Sequence, residues 1–359
     1  METFWLVGGK LVAPSGIVEG AVQIVEGRIA SVRLKATRSG RRISVRGQYV
    51  TPGFIDLHVW GPPARVAQEC VRAGTTAFLT ALGPEAPAQL LVDVAERSRP
   101  PRGGARCLGV HLEGPFLNPV RGGVLPRRWM RAPTIRELAA LSRAAGGRIR
   151  LITLAPELSG ASSAIAWCRR HRIVVSLGHS DADARIAEQA VRAGARAVTH
   201  LFNGMRPFHH RQLGLVGVGL TEPRLTAMVI ADGAHVSPGA LWLASRSKGA
   251  GGIALVTDSV RSQRQAWKLH RRAGAYHTRE GTLAGSRLTM IDAVRNMVEC
   301  GGASLVEAVT MATETPARLL GLRARLGGLR VGAAADVAVF DRTFCATLTL
   351  VDGHIAHQR

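Results

Sequence analysis

Residues 173–200, IVVSLGHSDADARIAEQAVRAGARAVTH, contain two short apolar runs, each ending at a histidine, with an amphipathic segment between them. The runs IVVSLG and ARAVTHL have the length of buried strands. The segment ADARIAEQAVRAGA places Ala, Ile and Val at three- and four-residue spacing and contains a glycine close to its end, which is typical of a helix. Strand, helix and strand in this order predict a parallel β-α-β unit with His179 and His200 where its strands end.

The same alternation extends in both directions along the chain. Between Thr51 and Ser259 there are eight apolar runs of strand length, most of them separated by helical patterns: GFIDLHV, TTAFLTAL, RCLGVHL, RIRLITLA, IVVSLG, ARAVTHL, TAMVIA and GIALVTD. Eight such repeats predict an α/β fold, a (β/α)₈ TIM-type barrel, although an open doubly wound sheet gives the same alternation. Polar residues at the ends of several separate strands favour the barrel.

The two ends of the chain have a different pattern. Residues 1–50 and 325–359 show period-2 alternation with turns that contain glycine, which indicates antiparallel hairpins, and Asp352-Gly353 is a hairpin turn signal. Neither end carries enough apolar surface for a core of its own. We therefore expect them to form one small β-sandwich domain, with the barrel, residues 51–324, inserted between its halves.

The composition of the chain says more about the cellular compartment of the protein than about its function. No apolar run has the length of a membrane span, and the N-terminus lacks the pattern of a secretion signal. The five cysteines show no CxxC pair and no zinc-ligand spacing, so we expect reduced, mostly structural thiols. These features predict a cytoplasmic protein.

The net charge of +22 raises nucleic-acid binding as an alternative. The arginines, however, are scattered over most helices and loops and do not gather in one stripe with interleaved aromatic residues. The charge distribution therefore favours a basic surface that attracts an anionic substrate, and it argues against a nucleic-acid partner.

Four polar residues follow apolar runs, in the segments GVHLEGP, VVSLGHS, AVTHLFN and ALVTDS. Glu113, His179 and His200 match the three His or carboxylate ligands that a catalytic zinc-type site uses. Asp258 is then available as the general base, which takes a proton from the attacking water and returns it to the leaving amine. The pattern predicts a metal-dependent hydrolase.

At the level of motifs the chain resembles the N-acetylglucosamine-6-phosphate deacetylases of the amidohydrolase superfamily. The resemblance runs from TPGFIDLH to the C-terminal VDG and rests on these motifs in this order: HLEGPFLNP, GHSDA, THLFNGM, HHRQLG, ADGAH, VTDS and TLAGSRLTMIDAVRN. It implies a hydrolase that removes the acetyl group of N-acetylglucosamine 6-phosphate, and it implies that Glu113, His179 and His200 bind the metal and that Asp258 is the catalytic acid and base.

The resemblance also implies a substrate-binding set. Asn203, Gly204 and Arg211 correspond to residues that hold the phosphate end, His235 to a substrate-binding histidine, and Leu283, Ala284 and Gly285 to a backbone segment beside the sugar. In this family Arg211 and His235 are positions whose contacts can cross a dimer interface, so we expect a homodimer.

Three departures from the family pattern affect the metal and the substrate. His58-Val59-Trp60 stands where most amidohydrolases have His-x-His, so we expect one divalent ion per chain, zinc or iron(II), with His58 close to it or only hydrogen-bonded nearby. The loop after Trp60 is shortened to GPP, and Val124 and Leu125 replace a pair that includes a sugar-contacting histidine. A related N-acetylamino sugar or conjugate, or a non-catalytic sugar-phosphate binder, therefore remain as alternatives.

Overall fold

The computed structural model describes residues 3–36, 40–263, 265, 267–272 and 274–359. Its strands are, in chain order, β1 (Thr3–Ala13), β2 (Gly16–Val25), β3 (Arg28–Arg33), β4 (Arg41–Ser44), β5 (Tyr49–Pro52), β6 (Phe54–Trp60), β7 (Thr75–Leu82), β8 (Arg106–Glu113), β9 (Ile149–Leu154), β10 (Val174–Leu177), β11 (Ala197–Val198), β12 (Thr226–Val229), β13 (Ile253–Leu255), β14 (His270–Arg272), β15 (Ala275–His277), β16 (Leu283–Ser286), β17 (Val337–Phe340), β18 (Ala346–Val351) and β19 (His354–Gln358).

Each of the eight predicted apolar runs contains one strand of a parallel sheet whose order, β6 to β13, follows the chain. The first and last strands meet through hydrogen bonds from Asp258 N–H to His58 O and from Trp60 N–H to Ser259 O, both 2.9 Å long. This contact closes the sheet, and the predicted TIM-type barrel is confirmed over the open alternative.

Helices follow most of the barrel strands and cover them from outside, since each buries its apolar side against the sheet. They are α1 (Pro63–Val71), α2 (Pro87–Arg97), α3 (Ile135–Ala144), α4 (Ala161–Arg170), α5 (Ala184–Ala193), α6 (Gly214–Thr221), α7 (Pro238–Lys248), α8 (Met290–Glu299), α9 (Leu305–Ala312) and α10 (Glu314–Leu319). None of the helices in the described residues is both long and apolar enough to cross a bilayer.

Asp56 reinforces the contact between the first and last barrel strands. Its Oδ2 accepts a hydrogen bond of 2.5 Å from the Thr257 hydroxyl, and its Oδ1 accepts from the backbone N–H groups of Thr257 and His58. Burial raises the pKa of this carboxyl to about 6, against the opposing effect of these hydrogen bonds. The closure of the barrel and the start of the segment that carries Asp258 are thus held by the same group.

Strands from both ends of the chain share one mixed eight-stranded sheet, in which β17 pairs antiparallel with β5. Its apolar side chains, such as Phe4, Val50 and Val337, form a core separate from that of the barrel. The small β domain made from both termini is therefore present. Its predicted boundaries, 1–50 with 325–359, remain our proposal.

The pairing within this sheet departs from the expected hairpins in one respect. β1 pairs antiparallel with β2, as expected, but β4 and β5 both run parallel to β1. The predicted turn at Asp352-Gly353 joins β18 to β19, and both residues have positive φ, 48° and 76°. Such a pair of angles is what an Asp-Gly hairpin turn requires.

Arg106 links the barrel to the terminal sheet. From β8, its guanidinium donates to both carboxylate oxygens of Asp336, at 2.7 and 3.1 Å, and lies 2.6 Å from Asp352. Asp336 is buried and its carboxylate is 4 % exposed. A buried carboxylate that loses its cation is costly, because neither water nor another charge replaces the partner.

We expect Arg106→Ala to lower the free energy of unfolding by about 3 kcal/mol, the low end of the cost of removing one partner from a buried ion pair. Urea unfolding of both proteins measures this difference. Arg65→Ala is the matched control, since Arg65 pairs with Glu69 on the exposed face of α1 and should change stability by less than about 1 kcal/mol. Equal effects of the two substitutions would contradict the role of Arg106 as a link.

Candidate active site

The four predicted catalytic residues converge at the C-terminal mouth of the barrel. Glu113 ends β8, while His179, His200 and Asp258 follow β10, β11 and β13 within three residues. They line a cavity of about 230 Å³, which we call the inner cavity. Its wall consists of Trp60, Glu113, Gly123, Val124, Leu125, His179, His200, Asn203, Gly204, His235, Asp258, Val260, Trp267, Thr282, Leu283, Ala284 and Gly285.

Glu113, His179 and His200 form a compact ligand set. Oε1 of Glu113 lies 2.9 Å from Nε2 of His179 and 2.8 Å from Nε2 of His200, and one ligand atom from each residue lies within 4.8 Å of the other two. All three side chains are buried. One carboxylate and two imidazoles at this spacing match the donor set of a hydrolytic metal site with an open position.

The far sides of the two imidazoles show which nitrogen carries the proton. Nδ1 of His179 lies 2.8 Å from the carbonyl oxygen of Arg121, and Nδ1 of His200 lies 3.1 Å from that of Asn203. A carbonyl oxygen only accepts, so both Nδ1 atoms donate. In the neutral rings both Nε2 atoms therefore present lone pairs towards Glu113.

Lone pairs from three buried groups can converge only on a positive charge. Burial alone would lower the pKa of His179, but the hydrogen bond and charge of Glu113 raise it. Burial alone would raise the pKa of Glu113, but the charge of His58 and hydrogen bonds from the histidines hold it well below its usual range. A divalent cation would supply the positive charge that these lone pairs require while both imidazoles stay neutral. The residues therefore fit a metal ion.

Asp258 lines the same cavity as this cluster and shares His58 as a neighbour with Glu113. Its Oδ1 accepts a hydrogen bond of 2.9 Å from the indole N–H of Trp60 and lies 3.1 Å from Nε2 of His58. Its Oδ2 lies 4.0 Å from Nε2 of His235. Trp60, which we expected only to fill the place of a second ligand, therefore holds one oxygen of Asp258. The other oxygen is left for the cavity.

His58 is fully buried beside the cluster. Its Nε2 lies 3.4 Å from Oε2 of Glu113, and no well-aligned hydrogen bond from the described residues satisfies this atom. Burial alone would lower the pKa of His58, but the charges of Glu113 and Asp258 beside Nε2 raise it to about 10. On the other side of the ring, Nδ1 lies 2.8 Å from Nδ1 of His111, so one of the two nitrogens donates to the other.

His235 is oriented by a carboxylate that the sequence analysis did not single out. Oδ2 of Asp232 lies 2.6 Å from Nδ1 of His235, and its Oδ1 accepts from the backbone N–H groups of residues 234 and 235. Burial alone would lower the pKa of His235, but Asp232 and Asp258 raise it. These contacts turn Nε2 of His235 towards the cavity.

The backbone is strained at three of the four predicted catalytic positions. The φ angles of His179, His200 and Asp258 are +48°, +30° and +48°, in a region that side chains with a Cβ adopt rarely. Each such residue costs on the order of 1–3 kcal/mol unless its surroundings compensate. The turn after each strand thus aims a side chain into the barrel mouth at the expense of folding free energy.

The predicted substrate-binding residues divide into two groups. Asn203, Gly204, His235 and the segment 283–285 line the inner cavity. Gly204 has φ +61°, and a Cβ on it would stand 2.9 Å from Nδ1 of His179, so glycine is required there.

Arg211 is the exception. It is exposed and lies in a different cavity, of about 430 Å³, together with Arg185 and Arg206. Within its own chain it therefore does not reach the inner cavity.

Three further residues of the site, His111, Asp232 and Trp267, were not predicted from the sequence. His111 is buried, with Nε2 2.7 Å from the Thr153 hydroxyl and Nδ1 3.0 Å from the carbonyl oxygen of Leu57. Burial and the charge of His58 hold its pKa well below the usual value. A signal for His111 was available, because it stands two residues before Glu113 and so faces the same side of β8. Trp267 had no such signal.

The chain matches known proteins over almost its whole length. Residues 49–356 match the model of the amidohydrolase family. The N-acetylglucosamine-6-phosphate deacetylase of Bacillus subtilis is 33% identical to it over 95% of this chain and 93% of the relative. The human protein of the same name is 33% identical over 99% of this chain and 92% of the relative.

Solved structures agree with this match. N-acetyl-D-glucosamine-6-phosphate deacetylase from Mycobacterium smegmatis superposes with a TM-score of 0.91 at 30% identity, over 98% of this chain and 99% of that one. A mutant from the same organism, in complex with N-acetyl-D-glucosamine-6-phosphate, gives 0.90 at 28% identity, over 99% and 100%. The sequence matches, the shared fold and the converging Glu113, His179, His200 and Asp258 lead to one conclusion: the chain belongs to the N-acetylglucosamine-6-phosphate deacetylases of the amidohydrolase family.

Proposed function

We propose that this chain hydrolyses N-acetylglucosamine 6-phosphate to glucosamine 6-phosphate and acetate, as a cytoplasmic homodimer. The observation that carries the proposal is that a Glu-His-His ligand set and Asp258 line one cavity. The identity of more than 30% with deacetylases of this name supports the substrate assignment. A binder without catalysis has no need of Asp258, a partly buried carboxylate held by the Trp60 indole.

A divalent cation held by Glu113, His179 and His200, for which zinc or iron(II) is suitable, would act as a Lewis acid on the amide carbonyl and on water. Asp258 would accept a proton from the attacking water and deliver it to the leaving nitrogen. The C–N bond breaks, the new oxygen remains on acetate, and the proton from Asp258 completes the amine. Since Oδ1 of Asp258 accepts the hydrogen bond from the Trp60 indole, Oδ2 would be the oxygen that accepts the proton and donates it again.

His235 would bind the substrate beside the reacting bond. Asp232 fixes its ring, so its Nε2 can donate to the carbonyl or a hydroxyl group without losing orientation. Asn203 and Gly204 would hold the phosphate end through their amide groups. This assignment places the sugar on the side of the cavity next to the sixth and seventh barrel strands, β11 and β12.

Arg211 would complete the phosphate site of a second subunit. Its guanidinium lies outside the inner cavity of its own chain, beside Arg206 on an exposed face. A dimer in which each chain lends this loop to its partner reconciles that position with a role in phosphate binding. Guanidinium groups suit a phosphate because they donate two parallel hydrogen bonds.

Arg211→Ala should lower kcat/KM for N-acetylglucosamine 6-phosphate about 30-fold or more, which corresponds to a loss of about 2 kcal/mol, the usual value of a charge-assisted hydrogen bond. Activity on unphosphorylated N-acetylglucosamine should barely change. Steady-state kinetics on both sugars measure the two effects. Arg192→Ala, an exposed arginine on α5, is the control and should alter neither. An equal loss on both sugars would mean that Arg211 supports its loop and does not bind phosphate.

The proposed function is tested by acetate release from a panel of phosphorylated and unphosphorylated N-acetylhexosamines, with metal content measured on the same sample. We expect N-acetylglucosamine 6-phosphate to give the highest kcat/KM. Release that is equal with and without the phosphate, or faster from another N-acetylhexosamine, would reassign the substrate. The absence of release from every sugar would remove the enzymatic function.

A further inference from the structure

A second and larger cavity adjoins the inner cavity. It has a volume of about 420 Å³, and we call it the outer cavity. Its lining consists of Trp60, Leu82, Gly83, Pro84, Glu85, Asp93, Arg97, Val124, Leu125, Pro126, Gln263, Trp267, Leu269, Thr278 and Ala284. This volume lies in the range of cavities that bind small molecules. None of the steps assigned to the deacetylase reaction uses it.

The two cavities share part of their walls. Five residues line both: Trp60, Val124, Leu125, Trp267 and Ala284. They include both positions, 124 and 125, at which the chain departs from the family pattern, and the indole that follows His58. The departures noted in the sequence therefore lie where the outer cavity meets the catalytic site.

Gly83, at the end of β7, helps to keep the outer cavity open. A Cβ at this position would stand 3.1 Å from Cη2 of Trp60 and 3.2 Å from Cδ2 of Leu125, so a side chain here would displace one of them or fill the space between. Beyond Trp60 the chain enters α1 after only two residues, Gly61 and Pro62. The short connection leaves this side of the barrel mouth without a long loop.

The direction of the substrate determines which part of it points to the outer cavity. In an amide, the nitrogen and the acyl chain lie on opposite sides of the carbonyl carbon. With the sugar and its phosphate beside Asn203 and Gly204, after β11, the acyl group points across the metal ligands to the opposite side. The outer cavity adjoins that side through Trp60 and Leu82, which end the first two barrel strands, and Leu125, which lies in the loop after the third; at Ala284 it also touches the segment assigned to the sugar.

The chemistry of the lining selects the kind of acyl group. Trp60 and Trp267 meet edge to face with centroids 5.0 Å apart, and Leu82, Leu125 and Leu269 add aliphatic surface. Among the described residues of the lining, the charged ones are two carboxylates, Glu85 and Asp93, and one guanidinium, Arg97, so these groups give an anionic tail no net attraction. An uncharged hydrocarbon chain buries apolar surface against the indoles and leucines of this wall. Nη1 of Arg97 and Oγ1 of Thr278, which also belong to the lining, are buried and have no hydrogen-bond partner among the described residues, so the chain would have to leave these two atoms to water.

We propose that the outer cavity is an acyl-chain subsite, and that the enzyme accepts N-acyl amino sugar 6-phosphates whose uncharged acyl groups are longer than acetyl. This inference rests on the proposed function, because it takes the amide at the metal ligands and the phosphate beside Asn203 as given. It extends the substrate class from acetyl to chains of about four to six carbons. The tail lies away from the reacting bond, so it strengthens binding more than it accelerates the chemical step.

The test compares N-acetyl-, N-butyryl- and N-hexanoylglucosamine 6-phosphate. Their binding is measured by calorimetry on Asp258→Asn, which holds the substrate without turning it over, and their kinetics are measured on the unmodified enzyme. Each buried methylene should strengthen binding by roughly fourfold. We expect at least tenfold tighter binding of the hexanoyl compound than of the acetyl compound, with a lower KM and a similar kcat.

A filled cavity provides the second arm. Leu269→Trp places an indole in the outer cavity, and it should lower the preference for hexanoyl over acetyl, as a ratio of Kd values, by tenfold or more. The matched control is Leu243→Trp, which puts the same side chain on the exposed face of α7 and should leave the ratio unchanged.

The outcomes separate this inference from the proposed function. The subsite is overturned if the hexanoyl compound binds no more tightly than the acetyl compound, or does not bind at all. This holds even if acetate is released normally from the acetyl substrate. A preference for hexanoyl that survives Leu269→Trp also overturns it. Tighter hexanoyl binding without acetate release supports the subsite and removes the acetyl substrate instead.

Discussion

Asp258→Asn should lower kcat on N-acetylglucosamine 6-phosphate by about two to four orders of magnitude, the usual contribution of a positioned general acid and base. The amide cannot accept the proton of the attacking water, so both proton transfers lose their carrier. The fold should persist, because asparagine tolerates the positive φ of this position and its oxygen can still accept from the Trp60 indole. Single-turnover and steady-state kinetics measure the loss.

The interpretation requires that the metal and the fold survive the substitution. Asp258→Asn should contain as much metal as the unmodified protein, by elemental analysis, and it should unfold at the same or a higher temperature. Asp341→Asn is the control, since Asp341 accepts hydrogen bonds from Thr343 and Cys345 in the terminal sheet, far along the chain from the site. Near-normal turnover of Asp258→Asn would remove Asp258 from the mechanism.

Replacing His179 or His200 with alanine should abolish both tight metal binding and activity, because each removes one of three ligands. His58→Ala should retain the metal and at most slow the reaction. A second ion would have His58 and Glu113 as ligands but too few others. The indole of Trp60 cannot ligate a metal, and its N–H already donates to Oδ1 of Asp258. Elemental analysis and activity on the same samples test these differences.

The expected count is close to one ion per chain in the unmodified protein. His354→Ala, which removes an exposed histidine from β19, is the control for histidine loss and should change neither metal content nor turnover. Two tightly held ions per active chain would sink the single-metal site and would make His58 a ligand.

The barrel could be predicted because parallel strands covered on both faces are continuous apolar runs. The run ARAVTHL was harder to delimit, since only Ala197 and Val198 are in the strand and the rest already turns towards the cavity. The parallel pairing of β4 and β5 with β1 had no signal, because a short segment does not record the direction of its neighbour.

The candidate site also has a part that the sequence could predict and a part that it could not. Glu113, His179, His200 and Asp258 could be predicted to meet, because residues at the ends of parallel barrel strands share one mouth. The hydrogen bond from Trp60 to Asp258 joins residues 198 positions apart, and nothing local specifies it. The position of Arg211 depends on how its exposed loop is used, which the pattern of one chain does not contain.

The left-handed backbone at His179, His200 and Asp258 has a consequence for attempts to engineer this enzyme. A search for thermostable variants rewards glycine or asparagine wherever φ is positive, because those residues relieve the strain. At these three positions such a substitution would remove two of the proposed metal ligands, His179 and His200, and the proposed base, Asp258. Selection for thermal stability alone would therefore not preserve these three residues. Stabilising substitutions should be made elsewhere, such as on the exposed faces of the outer helices.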